Sequence, residues 1–562
     1  MGAEELDALL GDPWDAENPL GYAAVLDADE RHEMLAEGEQ LLDRFCMNAE
    51  FVPVEYGGRF TRADRLAQIQ RTLWRRDPCL GLGYGLSSFI ASVNIWTSGD
   101  EDQRRRAAEL LLNNGRIAAA FHELDHGNDF ANAEFSAQRR DGRWLLSGRK
   151  EIVTNLRRAD AVVLYARTGE SVGSRSHSQF LVARDDLPAA GVRDLPRFLS
   201  SGMRGVQLGA MAFTDCPIPA DSLLGAEGQG MESALRAYQI TRSITPAVTV
   251  GPLDTALRAA LGFALDRRLY GGVAADIPYV RSVIARAYAD LLAVDAFSAV
   301  VLRALHLSPA IALYAPAAKY LTSRIALDAF EELRSVLGAQ GYLRQGPYAI
   351  FQKMARDIAP ATFAHISRAG CLVMILPHLP RLARRAWLQG SPAAEELFDL
   401  EGELPPLNPA RLTVGVPPAD GLMGTLAEIG GRDSDGGAVS RFATRFLDEL
   451  RSLRDECAGL PPRDITISAA PEAFALADRY TVLLAAASVL AVWDQAGARY
   501  GDAELIGVLD RLAGRLGGRS VLTTAEREST EDKLFAAAAQ HCLDRRLFDL
   551  TARRVPGEGR QP

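Results

Sequence analysis

Residues 135–148 read FSAQRRDGRWLLSG. Two runs of alternating apolar and polar residues meet at Asp141-Gly142, a dipeptide suited to the left-handed backbone angles of a two-residue hairpin turn. Further short β-type runs follow, ADAVVLYART at 159–168, SQFLVARDDL at 178–187 and VQLGAMAFTDCPIP at 206–219. Outward from this region the period changes to that of a helix. HEMLAEGEQLLDRF, RADRLAQIQRTLWRR and EDQRRRAAELLLNNG precede it, the first two parted by EYGG at 55–58. Helical spacing returns after Gly230, in a stretch expected to break near Pro246 or Gly251. It continues through two long runs to a final amphipathic stretch at about 348–386, with lengths that suggest a bundle. A segment rich in Pro, Gly and Asp, 388–437, reads as a linker, and helical runs resume at 438–459, 469–499, 502–516 and 529–551.

The expected fold class is therefore α+β, mostly α: an N-terminal helical domain (1–116), a middle β domain (117–230), a helical bundle (231–387), a linker (388–437) and a further helical domain (438–562). A length of 562 residues exceeds what one core supports. Lys plus Arg number 62 against 72 Asp plus Glu, a net charge of −10 that gives no footprint for nucleic acid. The six cysteines are too widely spaced for a metal or redox pair and fit a reducing compartment. The acidic N-terminus lacks the order of a signal peptide, and the longest apolar run, roughly 482–493, is shorter than a bilayer span. A cytoplasmic protein without a membrane partner or a metal is the expectation. Only four basic residues are lysine, a skew that GC-rich codon usage explains.

Seven local motifs then occur in one order. They are FVPVEYGG, SGDEDQRRRAAELLLNNGRIAAAFHE, HELDHGND, WLLSGRKEIVTN, IPADSLLGAEGQGM, FALDRRLYG, and VLGAQGY with KMARD. In sequence and order they resemble the acyl-CoA dehydrogenase family over about residues 50–375. The resemblance implies an FAD-dependent enzyme that introduces a C=C bond into an acyl thioester. It places Phe121, His122, Gly127, Asn128, Ile152, Thr154, Arg267, Tyr270, Gly338 and Ala339 at the cofactor, with Arg242 at the substrate. Thr154 would offer its hydroxyl to the reactive flavin nitrogen. Arg267 would pair with a pyrophosphate, in the family that of a neighbouring subunit, which implies a homodimer or homotetramer.

The departures from the family pattern concern the chemistry. The usual glutamate base stands eight residues after the Asp of the late "RD" motif; counted from Asp357, that position holds His365. The minority position, before the arginine of the first long C-terminal helix, holds Thr241 beside Arg242. His365 is open to three readings: a substitute base, with an ordinary pKa near 6.5; a mark of a flavin-dependent monooxygenase on the same fold; or a packed histidine in a non-catalytic member. His122 stands for a Thr or Ser, Ile152 for a Trp and Asn128 for a Ser, while Ser335, Ala339 and Pro278 replace Gln, Gly and Gln. Long members with an extra helical domain resemble dehydrogenases of bacterial specialised metabolism, some acting on chains carried by an acyl carrier protein. An Arg-rich run at 381–387, RLARRAW, could meet such an acidic partner.

Overall fold

Asp141 and Gly142 both take left-handed angles, φ 50° and 74°, in the computed structural model, and they close the hairpin that the alternation predicts. The structure describes residues 2–170, 173–308, 310–416, 419–433 and 436–557. The chain divides into two units, residues 1–241 with 406–414, and residues 242–405 with 415–562.

The first unit begins with helices α1 (Ala3–Leu10), α2 (Tyr22–Glu30), α3 (Ala36–Arg44), α4 (Ala63–Arg76), α5 (Pro78–Leu80), α6 (Ser87–Ser98) and α7 (Glu101–Leu112). Between α5 and α6 the glycine-rich stretch Gly81–Leu86 winds as a π-helix. A reciprocal capping box of Asp100 and Gln103 starts α7, and Asn114 and Gly115 lie just beyond its end. Strands β1 (Ile117–Ala120), β2 (Ser136–Arg140), β3 (Arg143–Thr154), β4 (Ala161–Arg167), β5 (His177–Ala183), β6 (Val192–Phe198), β7 (Leu208–Ile218) and β8 (Leu223–Leu224) follow. They form one sheet in the order β6-β7-β3-β2-β4-β5-β8, with β1 parallel to β4. Its core packs Phe135, Trp144, Leu146, Val153, Phe180, Met211 and Phe213. The β3–β7 register shifts between Lys150 and Val153, so Ile152 bulges outward, 42% exposed, beside a buried Val153.

The second unit holds α8 (Gly230–Asp266, entering from the first unit), the two-residue strands β9 (Arg268–Leu269) and β10 (Gly272–Val273), α9 (Pro278–Leu307), α10 (Ile311–Leu337), α11 (Ile350–Asp357), α12 (Arg368–Ile375), α13 (Leu379–Arg385), α14 (Gly421–Gly430), α15 (Ala438–Ala458), α16 (Pro471–Ala496), α17 (Asp502–Leu516) and α18 (Thr524–Leu543). Three expectations are corrected here. Helix α8 runs unbroken through Pro246 and Pro252. Its neighbours Ile244, Ala247, Val248, Val250 and Leu253 are all at most 1% exposed, so packing outweighs the missing N–H groups. The stretch at 348–386 is instead three short helices parted by 3-10 turns and a bend, with Pro360, Pro377 and Pro380 at the starts of the later turns and helix. Residues 388–437 are also not an open connector: α14 lies within them, and Leu397, Phe398, Leu404, Leu412 and Met423 are buried. Residues 417–418 and 434–435 of that stretch lie outside the described residues.

Three helical segments, Pro78–Ser98, Gly230–Asp266 and Pro471–Arg499, have the length and composition of a bilayer span, longer than the apolar run in the sequence indicates. More than four fifths of each apolar window is buried inside the protein, which accounts for their character without a lipid phase.

Candidate active site

Strand β1 ends at Ala120, and the chain turns through HELDHGND beside the end of β3. Two hydrogen bonds tie that turn to β3: Glu151 N–H donates to the His122 carbonyl (3.2 Å), and Leu124 N–H to Glu151 Oε2 (3.3 Å). The turn's anchor is Glu123. Its carboxylate takes Lys150 Nζ at 2.8 Å and the backbone N–H groups of Glu134 (2.8 Å) and Phe135 (3.1 Å). Its own carbonyl accepts the N–H groups of His126 and Gly127. Lys150 is fully buried, and burial pushes its pKa down to about 8 against the pull of Glu123.

This pair has a pH signature. Burial pushes the Glu123 carboxyl up, but the Lys150 charge, its hydrogen bond and the two N–H donors together hold it below its ordinary value. A carboxyl lowered on folding stabilises the native state above its unfolded pKa, and that stabilisation disappears as pH falls through the folded value. Acid unfolding of the wild type should therefore include a loss that Glu123→Gln lacks. Thermal melts of both proteins from neutral to acidic pH measure it.

The Phe121 ring, expected at the cofactor, is packed among other aromatic side chains. It is 2% exposed and stacks on Tyr165 (5.4 Å, 17°) with Tyr238 and Phe130 around it, while its carbonyl accepts from Lys150 Nζ. By alternation Phe121, just past β1, falls on the face opposite Ala118 and Ala120, and there it meets Tyr165. His122, next along, is half-buried, and its Nδ1 lies 3.2 Å from the Gly127 carbonyl. A carbonyl only accepts, so that contact assigns the proton to Nδ1 and leaves the Nε2 lone pair open. Burial lowers the pKa of the ring and favours the neutral form.

Gly127 has φ 55°, and nothing stands within 4 Å of where its Cβ would lie. Backbone conformation, rather than crowding by the protein, is what requires glycine there. Asn128 is exposed and Thr154 half-buried. Ile152, a β-branched residue at φ 54°, is a strained backbone position at the bulge. Buried Asn155 follows at φ 59°, and its amide donates to the Gly83 carbonyl in the π-helical stretch and to Ser87 Oγ.

In the second unit Arg267, Tyr270, Gly338 and Ala339 stand at element ends. Arg267 follows the last residue of α8, and its side chain is exposed. Tyr270 and Gly271, at φ 53° and 89°, form the tip between β9 and β10, where Tyr270 is 98% exposed. Gly338 ends α10 at φ 53° with open space at its Cβ position, and Ala339 beside it is exposed. Arg242 is not open to substrate as expected. It is 3% exposed inside the unit, with Nη1 3.1 Å from Met374 Sδ on α12. His365 lies in the bend before α12, half-buried at φ 66°, and not on a helical face. Ser367 caps α12 just after it, accepting the Gly370 N–H at 3.1 Å.

These residues suit a dinucleotide cofactor in kind. Among the described residues, the side chains of Asn128, Thr154 and Arg267 make no hydrogen bond or ion pair within the protein, so their donors are unspent. Two exposed glycines hold positive φ where a bound group could approach the backbone. Sequence reasoning found most of these positions and missed Lys150 and Lys319. Their signal was present: in a chain with four lysines among 62 basic residues, three of the four are buried, each on a specific acceptor.

Comparison with known proteins identifies the domains that carry these residues. Residues 118–216 match the model of the acyl-CoA dehydrogenase middle domain, and residues 228–365 that of the acyl-CoA dehydrogenase C-terminal domain. A Mycobacterium tuberculosis protein named "Probable acyl-CoA dehydrogenase FadE25" is 25% identical over 335 residues, 59% of this chain and 84% of that protein. The mitochondrial isovaleryl-CoA dehydrogenase of Oryza sativa is 24% identical over 48% of this chain and 66% of its own. Among solved structures, the Bacillus anthracis acyl-CoA dehydrogenase complexed with FAD superposes with a TM-score of 0.69 at 17% identity, covering 91% of this chain and 92% of that one. The prolyl acyl carrier protein oxidase AnaB gives a TM-score of 0.58 at 20% identity, over 63% and 93%. The fold, the order of the two matched domains and the motifs that fill them lead to one assignment: this chain belongs to the acyl-CoA dehydrogenase family.

Proposed function

We propose that this protein is an FAD-dependent dehydrogenase that introduces a C=C bond into an acyl thioester, with His365 as the base. The observation that carries the reading is the backbone at His365. A non-glycine residue at φ 66° costs about 1–3 kcal/mol, and such strain persists where the surrounding structure fixes it, most often at functional sites. His365 also occupies the position, eight residues after Asp357, where the family pattern has its glutamate.

Bound FAD supplies the acceptor for the hydride that leaves the β carbon. Gly127, Asn128 and Thr154 would hold its ring system, and Arg267 its pyrophosphate, with the guanidinium fork matching paired phosphate oxygens. His365 takes the α proton on a ring nitrogen. A neutral imidazole is well matched to that step near neutral pH. The electron pair of the broken α C–H bond becomes the new π bond as hydride departs. His122 adds an uncharged acceptor, Nε2, where the family has a hydroxyl. The thioester is carried by coenzyme A or by an acyl carrier protein, and the exposed Arg267 and Tyr270 fit an assembly of at least two copies.

Anaerobic mixing of the FAD-loaded protein with saturated acyl thioesters on either carrier tests this reading. Bleaching of the visible flavin absorbance, with the enoyl thioester as product, is expected. An unbleached flavin on both carriers overturns it; oxygen consumption with added reduced flavin would then assign the protein to the monooxygenases of this fold.

A further inference from the structure

Lys319, on α10, is 3% exposed, and its Nζ donates at 3.0 Å to the carbonyl of Ala361. No carboxylate within salt-bridge distance is recorded for it among the described residues. Its nearby ionisable groups are the Cys371 thiol on α12 and the Arg242 guanidinium on α8, a second cation. Burial, with Arg242 adding to it, pushes the pKa of Lys319 down to about 8, and only the thiol opposes them. A buried ammonium without a counterion is costly, so its retention needs a reason.

The acceptor supplies that reason. Ala361 lies in the 3-10 turn Ala359–Thr362, which leads through two residues to His365 in the strained bend. Downstream of His365 the chain is fixed by buried Ile366 and by the Ser367 cap of α12. Farther along α12, Met374 Sδ meets Arg242. Lys319 is therefore the upstream pin of a short segment whose downstream end is already held. Lysine suits the place: a single ammonium on a flexible stem reaches one carbonyl, where a planar guanidinium would bring further donors needing partners. In a chain whose basic residues are nearly all arginine, lysine stands here, at the Glu123 pair and at the buried Lys353–Asp357 pair (2.5 Å).

We propose that Lys319 is a positioning residue that fixes the 359–362 turn and through it the orientation of His365. The proposal rests on the reading of His365 as the base. Its test separates the two. Full-length FAD-loaded Lys319→Met, which loses the donor, and Lys319→Gln, which keeps one, are compared with wild type by hydrogen–deuterium exchange, thermal melting and acyl-thioester turnover. In Lys319→Met the amides of 359–366 should exchange about tenfold faster, the scale of one lost hydrogen bond, with the rest of the bundle unchanged. Turnover should fall about 100-fold, chiefly in kcat, the scale of a misplaced reacting group. Lys319→Gln should recover part of both. In a His365→Ala background Lys319→Met should add no further loss, as two residues acting through one group are non-additive.

Unchanged exchange at 359–366, or a rise spread evenly through the bundle, overturns the positioning role. So does a full second loss in the double variant. Should Lys319→Met fail to fold, exchange in Lys319→Gln decides. Should wild type show no acyl-thioester turnover, the functional reading fails while the exchange measurement still decides the role of Lys319.

Discussion

Replacing His365 by glycine should make the protein more stable and leave it nearly inactive. The bend holds this residue at φ 66°, where a side chain costs about 1–3 kcal/mol and glycine is unstrained. Glycine has greater freedom in the unfolded chain, which takes back about 0.5–1 kcal/mol. The net expectation is a gain of about 1 kcal/mol, read as a higher melting temperature. Loss of a general base lowers turnover by about 10²–10⁴. His365→Ala is the control: it loses the base but keeps the strain, so turnover falls without the gain in stability. A packed, non-functional histidine would give the reverse, lower stability in both variants and turnover unaltered.

The middle sheet was legible because its signals are local. Asp141-Gly142 and the alternation around it fix a hairpin without help from distant residues. The helices after residue 437 were legible for the same reason; α15 and α17 match their expected limits within a residue. Local signals fail where tertiary packing decides. Pro246 or Gly251 reads as a break, yet that part of α8 is buried and the helix continues. The Pro- and Gly-rich stretch after residue 388 reads as a linker, yet Leu397, Phe398, Leu412 and Met423 are buried. No periodic pattern marks those side chains as core.

The candidate site divides in the same way. Motif spacing named Thr154, Arg267 and Gly338, which stand at element ends, and His365, which stands in a bend, all with exposed or half-exposed surface. It could not show that the Phe121 ring packs with Tyr165 and Tyr238. Nor could it show that Arg242, read as a substrate contact, is buried, since burial cannot be seen in a motif. What spacing could not reach at all is support: Lys150 beside the HELDHGND turn and Lys319 beside the His365 turn donate to backbone carbonyls far away in sequence.

The largest loss of stability is expected at Asp420, in the stretch that reads as a linker. It is 1% exposed and accepts hydrogen bonds from Tyr480 Oη (2.7 Å), Tyr314 Oη (2.9 Å) and Trp387 Nε1 (3.0 Å). It also caps α14 through the Met423 N–H at 3.4 Å. One carboxyl thus joins α10, the chain after α13, α14 and α16. Asp420→Leu leaves two hydroxyls and an indole N–H buried without acceptors, at about 1–3 kcal/mol each, and removes a cap worth about 1 kcal/mol. A loss of about 5 kcal/mol or more follows, large beside the net stability of a typical domain. The sign of the pH effect is separate. Burial raises the Asp420 pKa despite its donors, so the carboxyl favours the native state most below the ordinary carboxylate range, and that preference fades as pH rises through the folded value. Denaturant titrations at mildly acidic and neutral pH should show the wild type yielding part of this margin on going to neutral pH, with Asp420→Leu less stable at both. A variant as stable as wild type would remove Asp420 from the forces that hold these four segments together.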